Sequence, residues 1–203
     1  MSKLTEEINN LLQTFKKLRD PSQGCPWDKE QDFKSIASCS IEEAYEVADA
    51  IEREDFNDLK EELGDLFFQI IFHSGMAEEK KLFNFEEVVK ELNDKLIRRH
   101  PHVFDNKQEM SASESLEIWE KEKKKEREKK NLLSLMDDIP KNLPSLTRAK
   151  KIQKRAKSVG FDWQNESDVI KKIDEEIDEL KEQRFLKKKR IFLKKLVIFS
   201  LLS

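Results

Sequence analysis

Residues 40–72, SIEEAYEVADAIEREDFNDLKEELGDLFFQIIF, decide how this chain folds. Ser40, followed three residues later by Glu43, has the form of a capping box and predicts a helix over residues 40–54. Further start signals predict the next helix over residues 58–79. Because only a short turn separates the two helices, they are expected to pack antiparallel.

Helical signals continue on both sides of this pair. Apolar residues at helical spacing predict a first helix over residues 5–18, a loop is predicted around residues 25–31, and a fourth helix is predicted over residues 84–99. The 203 residues include only four Gly and five Pro, and 40% are charged, a composition typical of helical proteins. The predicted fold class is therefore all-α, a four-helix bundle whose thin core favours an interface with another chain.

Charge and composition argue against several classes of function. The net charge of −3 is unlike the basic surface that nucleic-acid binding requires. No apolar run reaches the ~20 residues that span a bilayer, and no signal peptide is recognisable at the start. Cys25 and Cys39 form neither a zinc set nor a disulfide framework. A cytoplasmic protein without a membrane span is expected.

The C-terminal part resembles an incomplete second copy of the first. Residues 160–163, GFDW, resemble residues 25–28, CPWD, and residues 175–179 repeat the acidic spacing of residues 42–46 at nearly the same offset, although abundant Glu leaves chance as an alternative. The predicted segments are an N-terminal helical domain (1–105), a charged helical linker (106–145), a partial second domain (146–183) and an atypical basic and apolar tail (184–203). The missing continuation of the repeat favours a truncation or a shifted reading frame for the tail over a membrane-surface segment.

Four acids lie in pairs on the two helices of residues 40–72. Glu43 and Glu46 are three residues apart, as are Glu62 and Asp65, so each pair occupies one helical face and the two pairs can face each other. Apolar residues share these faces, and an unpaired buried charge is costly, so the acids need a partner. Basic side chains or a hard cation such as Mg²⁺ or Mn²⁺ would supply it. The alternatives are solvated acids, a capping role for Glu43, and, for Glu61 and Glu62, a first-turn position that the helix dipole favours.

Three cations follow near the end of the fourth predicted helix. Lys95, Arg98 and Arg99 lie on one face, where they would either complement the helix dipole or bind phosphate. Carboxylates with a divalent ion and a cationic helix end would together suit a polyphosphate.

The pattern EExxE at residues 42–46, followed by ExxD at residues 62–65, resembles the signature of the MazG family of all-α nucleoside triphosphate pyrophosphohydrolases. CPWDKEQ at 25–31, KLIRRHPHVF at 95–104 and KKIQKRA at 150–156 look like motifs of the same family. This resemblance, which covers about residues 5–182, implies a tandem of two helical domains and a homodimer. It also implies hydrolysis of nucleoside triphosphates to a monophosphate and pyrophosphate.

The resemblance further implies roles for individual residues. The expected Mg²⁺ ligands are the four paired acids, Glu43, Glu46, Glu62 and Asp65. Glu43 or Glu46 would also accept a proton from the attacking water, and Glu42 would be a supporting acid. The expected contacts to phosphate and base are Lys95, Arg98, Arg99 and Trp27.

One departure from the family pattern lies in the second domain. Relatives with two domains carry a complete acidic set in each, whereas residues 175–179 here are not followed by ExxD. A four-ligand site is therefore expected from the N-terminal domain alone. The alternative function is a catalytically degenerate dimeric module, regulatory or interacting, with the same fold.

Overall fold

The structure is a computed structural model that describes residues 2–105, 109–129, 134–163 and 165–185. Within these ranges its regular elements are helices, which confirms the predicted all-α class. The chain divides into two compact units, Met1–Trp119 and Glu120–Ser203. In chain order the helices are α1 (Lys3–Leu18), α2 (Pro26–Glu30), α3 (Ala37–Glu52), α4 (Phe56–Glu79), α5 (Phe85–Arg99), α6 (Pro101–Phe104), α7 (Ala112–Lys129), α8 (Ser145–Lys157) and α9 (Glu166–Phe185).

The hairpin of α3 and α4 is the framework of the N-terminal unit. Helix α3 begins at Ala37 rather than at Ser40, and its N-cap residue, Ile36, makes no side-chain hydrogen bond. Ile36 is buried, so apolar packing fixes this helix start. The predicted capping box is therefore wrong: the Ser40 hydroxyl lies inside the first turn, 3.1 Å from Nε2 of His73 on α4.

An arginine closes the turn between α3 and α4. Nε of Arg53 lies 2.7 Å from Oδ2 of Asp49, and the same guanidinium contacts Asp55 and Asp58. Asp55 caps α4 by accepting hydrogen bonds from two backbone N–H groups of the first turn. This cap starts α4 two residues before the predicted position and fixes the antiparallel course of the two helices.

Apolar packing between α1 and the C-terminal half of α4 forms the core. The buried residues are Phe15, Ile36, Ile71, Phe72 and Met76. Phe15 of α1 meets Phe72 edge to face, with ring centroids 5.3 Å apart. The Phe15 ring also lies directly over Gly75, where a Cβ atom would overlap it. The glycine therefore allows α1 to approach α4 closely.

Arg19 joins three segments at the end of this core. Its Nε and Nη2 atoms each donate to a carboxylate oxygen of Glu79 at 2.7 Å. Its Nη1 atom donates to the backbone carbonyls of Asp28 and Gln31. These carbonyls belong to α2 and its C-cap, so the prediction of a loop over residues 25–31 is wrong. Residues 25–31 are thus held by Arg19, which is distant in sequence, and local sequence signals do not reveal such a contact.

Helix α5 begins where the sequence predicts. Asn84 and Glu87 exchange side-chain-to-backbone hydrogen bonds of 2.9 Å, which form a capping box. Phe85 packs edge to face on Phe67 of α4, with ring centroids 6.0 Å apart. No residue of α5 is buried within the chain. The helix therefore leaves an apolar face available to solvent or to another molecule.

An ion pair ties α8 to the segment before it in the C-terminal unit. Arg155 donates to both carboxylate oxygens of Asp138 at 2.9 and 2.8 Å, and Ile139 and Ala149 are buried nearby in sequence. Residues 186–203 of the predicted tail lie outside the described residues. Of the helices that the structure describes, none combines the length and hydropathy needed to cross a membrane.

We predict that Gly75→Ala lowers the free energy of unfolding by about 1–3 kcal/mol, because the added methyl group overpacks the contact with Phe15. Gly64 is the matched control, since it lies in the same helix but open space surrounds the position of its missing Cβ. Gly64→Ala is expected to raise the free energy of unfolding by up to about 1 kcal/mol through helix propensity. Urea unfolding followed by circular dichroism measures both values. Equal effects of the two substitutions would contradict the close approach of α1.

Candidate functional site

Three of the predicted acids converge between α3 and α4. Glu43, Glu62 and Asp65 each place one carboxylate oxygen within 4.8 Å of the others. Glu62 and Asp65 lie one turn apart on α4, and Glu43 comes from α3. Because the helices run antiparallel from a short turn, acids at similar distances from that turn meet side by side.

The fourth predicted acid, Glu46, borders this group. It is more exposed than Glu43 and lies outside the set of closest oxygens. Its charge nevertheless raises the pKa of Glu43, and it is the neighbouring charge that raises the pKa of Glu62 most strongly. The structure therefore brings three of the acids into one cluster and leaves Glu46 at its edge.

The start of α3 at Ala37 excludes the capping role left open for Glu43. Glu43 lies in the second turn of the helix, beyond the backbone N–H groups that an N-terminal cap serves. Ala50, on the same face as Glu43, is fully buried. The side chain of Glu43 is therefore directed along the interface between α3 and α4, here called the α3–α4 seam, and it is half-buried.

Burial and mutual repulsion make this cluster unfavourable on its own. The pKa of Glu43 is raised first by burial and then by the charges of Glu46 and Asp65. The pKa of Glu62 is raised first by burial and then by Glu46 and Asp58. The neighbouring charges with the largest effects on these two pKa values are acidic. A bound cation would relieve their repulsion.

The chemistry of the donor set favours a hard divalent cation. The cluster offers carboxylate oxygens, which suit Mg²⁺, Mn²⁺ or Ca²⁺ better than they suit metals that prefer nitrogen or sulfur ligands. Mg²⁺ in particular is commonly held by a few carboxylates together with water and the phosphate oxygens of a substrate. The residues present therefore fit a divalent metal ion.

The predicted phosphate and base contacts come from α5 and α2. Lys95 and Arg98 lie on the last turns of α5. The guanidinium of Arg99 lies over the Trp119 ring, 5.5 Å from its centroid. Trp27 is 58% exposed on α2. These four residues remain predictions as ligand contacts.

One residue of the seam is missed by the sequence prediction. Gln69 follows Asp65 by four residues and so lies on the same face of α4. Its side chain is half-buried, and Oε1 is buried without a hydrogen-bond partner. The spacing from Asp65 is the sequence signal that points to it, but the burial of Oε1 is visible only in the packed structure.

Comparison with known proteins identifies the family of this chain. Residues 31–104 match the model of the MazG nucleotide pyrophosphohydrolase domain. Nucleoside triphosphate pyrophosphohydrolase/pyrophosphatase MazG of Thermotoga maritima is 42% identical over 177 residues, which are 87% of this chain and 67% of that protein. The chain belongs to the MazG family. The matched MazG segment contains the carboxylate cluster and the basic end of α5, whereas Trp27 precedes it.

A second relative and a solved structure are also similar to this chain. Nucleoside triphosphate pyrophosphohydrolase of Escherichia coli strain K12 is 52% identical over 174 residues, 86% of this chain and 66% of the relative. The chain thus spans about two thirds of the length of these proteins. A crystal structure of a MazG-related protein from Thermotoga maritima aligns with 57% of this chain and 98% of that one, at 26% identity and a TM-score of 0.48.

We predict that Glu43→Gln raises the melting temperature of the metal-free protein at pH 7.5, because it removes one of several like charges in the cluster. The raised pKa of Glu43 means that the folded state holds this proton more tightly than the unfolded state does. The difference in melting temperature between the variant and the wild type should therefore shrink as pH falls through that raised pKa, because the wild-type carboxylate then becomes neutral. Thermal unfolding in EDTA at pH 7.5 and 4.5 measures the difference.

Glu42→Gln is the matched control for this prediction. Glu42 is the neighbouring residue on α3, it is exposed, and it lies outside the close group of carboxylates. The same change of charge there should leave the melting temperature nearly unchanged at both pH values. A Glu43→Gln protein whose melting temperature at pH 7.5 is below that of the wild type would contradict the repulsion among the clustered carboxylates.

Proposed function

We propose that this chain hydrolyses nucleoside triphosphates to a nucleoside monophosphate and pyrophosphate, with Mg²⁺ or Mn²⁺ as its cofactor. The observation that carries the proposal is the convergence of Glu43, Glu62 and Asp65 within the segment that matches the MazG domain. The names of the Escherichia coli and Thermotoga maritima relatives agree with it. Both relatives extend well beyond the matched region, so the proposal relies on the site of the N-terminal unit itself.

In the proposed mechanism, the acids of the seam hold the ion and handle the proton. Glu43, Glu62 and Asp65 are the proposed ligands, and Glu46 completes the set from the exposed edge. A divalent ion held there would supply positive charge to the phosphate and would lower the pKa of the attacking water. Glu43 or Glu46 accepts the proton as water attacks the α-phosphorus. The bond from the α-phosphorus to the bridging oxygen breaks, and pyrophosphate leaves.

The remaining contacts of the proposed mechanism come from α5 and α2. Lys95 and Arg98 stabilise the negative charge that develops on the departing pyrophosphate. Arg99 assists them from its position over the Trp119 ring. Trp27 offers an exposed indole face on which a base can stack. These roles follow from the chemistry of the side chains and from the family resemblance.

A second candidate function is a catalytically degenerate module that folds and dimerises without hydrolysis. The observation that favours it is the sequence after residues 175–179, where the expected ExxD is missing. The two candidates differ in one measurable property, which is pyrophosphate release from the purified full chain with nucleoside triphosphates and Mg²⁺.

We predict that the double variant Glu62→Gln, Asp65→Asn loses pyrophosphate release by a factor of about 100 or more, because it removes the α4 side of the proposed metal site. Coupled pyrophosphate detection over a panel of nucleoside triphosphates measures the rate, and circular dichroism checks that the helices remain. Glu61→Gln is the control for the Glu62 half of this change, since it also removes one negative charge and lies next to Glu62 but outside the cluster. Unchanged turnover in the double variant would refute the site.

We also propose that the chain forms a homodimer. Phe56, Leu63 and Ile70 recur every seven residues on one face of α4, and they are 75%, 50% and 43% exposed. Exposed apolar stripes of this kind are typical of protein interfaces. Helix α5 adds Val89, Leu92 and Leu96, which are also exposed and lie on one face. A second copy of the chain is the proposed partner for these faces, in agreement with the family resemblance.

We predict that Ile70→Lys shifts the protein from dimer to monomer, because a charged group in the stripe must be desolvated on association. Leu4→Lys is the control, since Leu4 is an exposed leucine outside the stripe. Light scattering coupled to size-exclusion chromatography measures the mass against 24.1 kDa for a single chain. A wild-type protein of single-chain mass, or an Ile70→Lys protein that remains dimeric, would rule out this interface.

A further inference from the structure

Gln69 lies between two cross-helix contacts of the α3–α4 seam. On one side, the Glu62 and Asp65 carboxylates approach Glu43. On the other side, His73 lies 3.1 Å from the Ser40 hydroxyl. Gln69 is four residues from both Asp65 and His73, so it lies about one turn, or roughly 6 Å along the helix axis, from each.

The amide oxygen of Gln69 has an unmet requirement for a hydrogen-bond donor. Oε1 is buried and has no partner among the described residues. A buried acceptor without a donor destabilises the folded protein, because no hydrogen bond replaces its lost hydration. A glutamine at this position is therefore expected to serve a group that is added to the seam.

The neighbouring side chains are poorly suited to supply that donor. Ionised carboxylates such as Glu43 and Asp65 accept hydrogen bonds and do not donate them. The Ser40 hydroxyl is already engaged with His73. A water molecule is a suitable donor, and a water whose oxygen coordinates a cation directs both of its hydrogens outward. Mg²⁺ commonly retains several such waters when carboxylates hold it.

We propose that Gln69 is a positioning residue of the carboxylate site and that its Oε1 accepts a hydrogen bond from a water in the hydration shell of the bound ion. This inference rests on the proposed function, because it requires a divalent ion at the carboxylate cluster. Gln69 orients that water and, through it, the ion. It does not contact the reacting phosphate.

The proposal is tested by Mn²⁺ binding to the full chain without nucleotide. Free Mn²⁺ is counted by electron paramagnetic resonance for the wild type, for Gln69→Leu and for Gln69→Glu. Loss of the acceptor in Gln69→Leu should weaken Mn²⁺ binding about tenfold, which is typical of groups that support metal ligands from outside. Gln69→Glu keeps an oxygen acceptor at the same chain length, so binding should be retained or tightened. Gln13→Leu, an exposed position on α1, should bind as the wild type does.

Stability without metal separates this role from a structural one. Replacing an unsatisfied buried acceptor by an apolar group should leave the melting temperature of Gln69→Leu in EDTA equal to or above that of the wild type. A glutamine that only stabilises the fold would lower it. A lower melting temperature with unchanged Mn²⁺ affinity would overturn the proposal.

Failure of the Gln69 role can be distinguished from failure of the proposed function. A wild-type protein that binds no Mn²⁺ at the cluster refutes the metal site, and the role of Gln69 with it. The role of Gln69 alone is refuted if the wild type binds Mn²⁺ and releases pyrophosphate but Gln69→Leu has the same Mn²⁺ affinity as the wild type. Unchanged Mn²⁺ affinity with a raised KM for nucleotide would assign the donor to the substrate, which also overturns the proposal.

Discussion

Repulsion between carboxylates held across one helix–helix seam is the constraint on which the rest of the N-terminal unit depends. Glu43 and Glu62 have raised pKa values because burial and neighbouring acids both oppose their charge. Two helices that met only at these acids would separate. The fold must therefore hold α3 and α4 together by contacts made elsewhere, and helix α4 is built to do so.

The two halves of α4 have different tasks. Its first half carries the acids and is closed at the turn by Arg53, which contacts three aspartates. Its second half carries Ile71, Phe72 and Met76, which are buried in the core. The apolar half and the turn thus hold the acidic stretch from both ends. A site of like charges can persist because its supports lie one to three turns away along the same helix.

Local signals in the sequence were sufficient for the elements that depend on local interactions. Asn84 was the predicted start of the fourth helix, and the structure shows why it serves as one: Asn84 and Glu87 form a capping box whose two hydrogen bonds are made within one turn. The i, i+3 spacing of Glu62 and Asp65 placed both on one face of α4. The short turn predicted that this face meets the acids of α3, Glu43 and Glu46, and the structure places Glu43 in the close group.

Elements fixed by distant contacts could not be predicted in this way. Helix α3 starts at Ala37 because the preceding Ile36 is buried in the core, although Ser40 offered the better local cap. The segment of α2 is tied to Arg19 through the carbonyls of Asp28 and Gln31, a contact that no local motif encodes. The isolation of Gln69 Oε1 likewise depends on tertiary packing, because the atom is buried in the folded chain.

The three-residue turn between α3 and α4 has a consequence for how the site arises during folding. Every proposed ligand comes from residues 43–65, so loop closure over a short distance brings the acids together, and contacts of such low sequence separation form early and quickly. Assembly of the acidic centre does not wait for the chain ends to meet. A duplication of that one continuous stretch of sequence would consequently copy the complete set of proposed ligands.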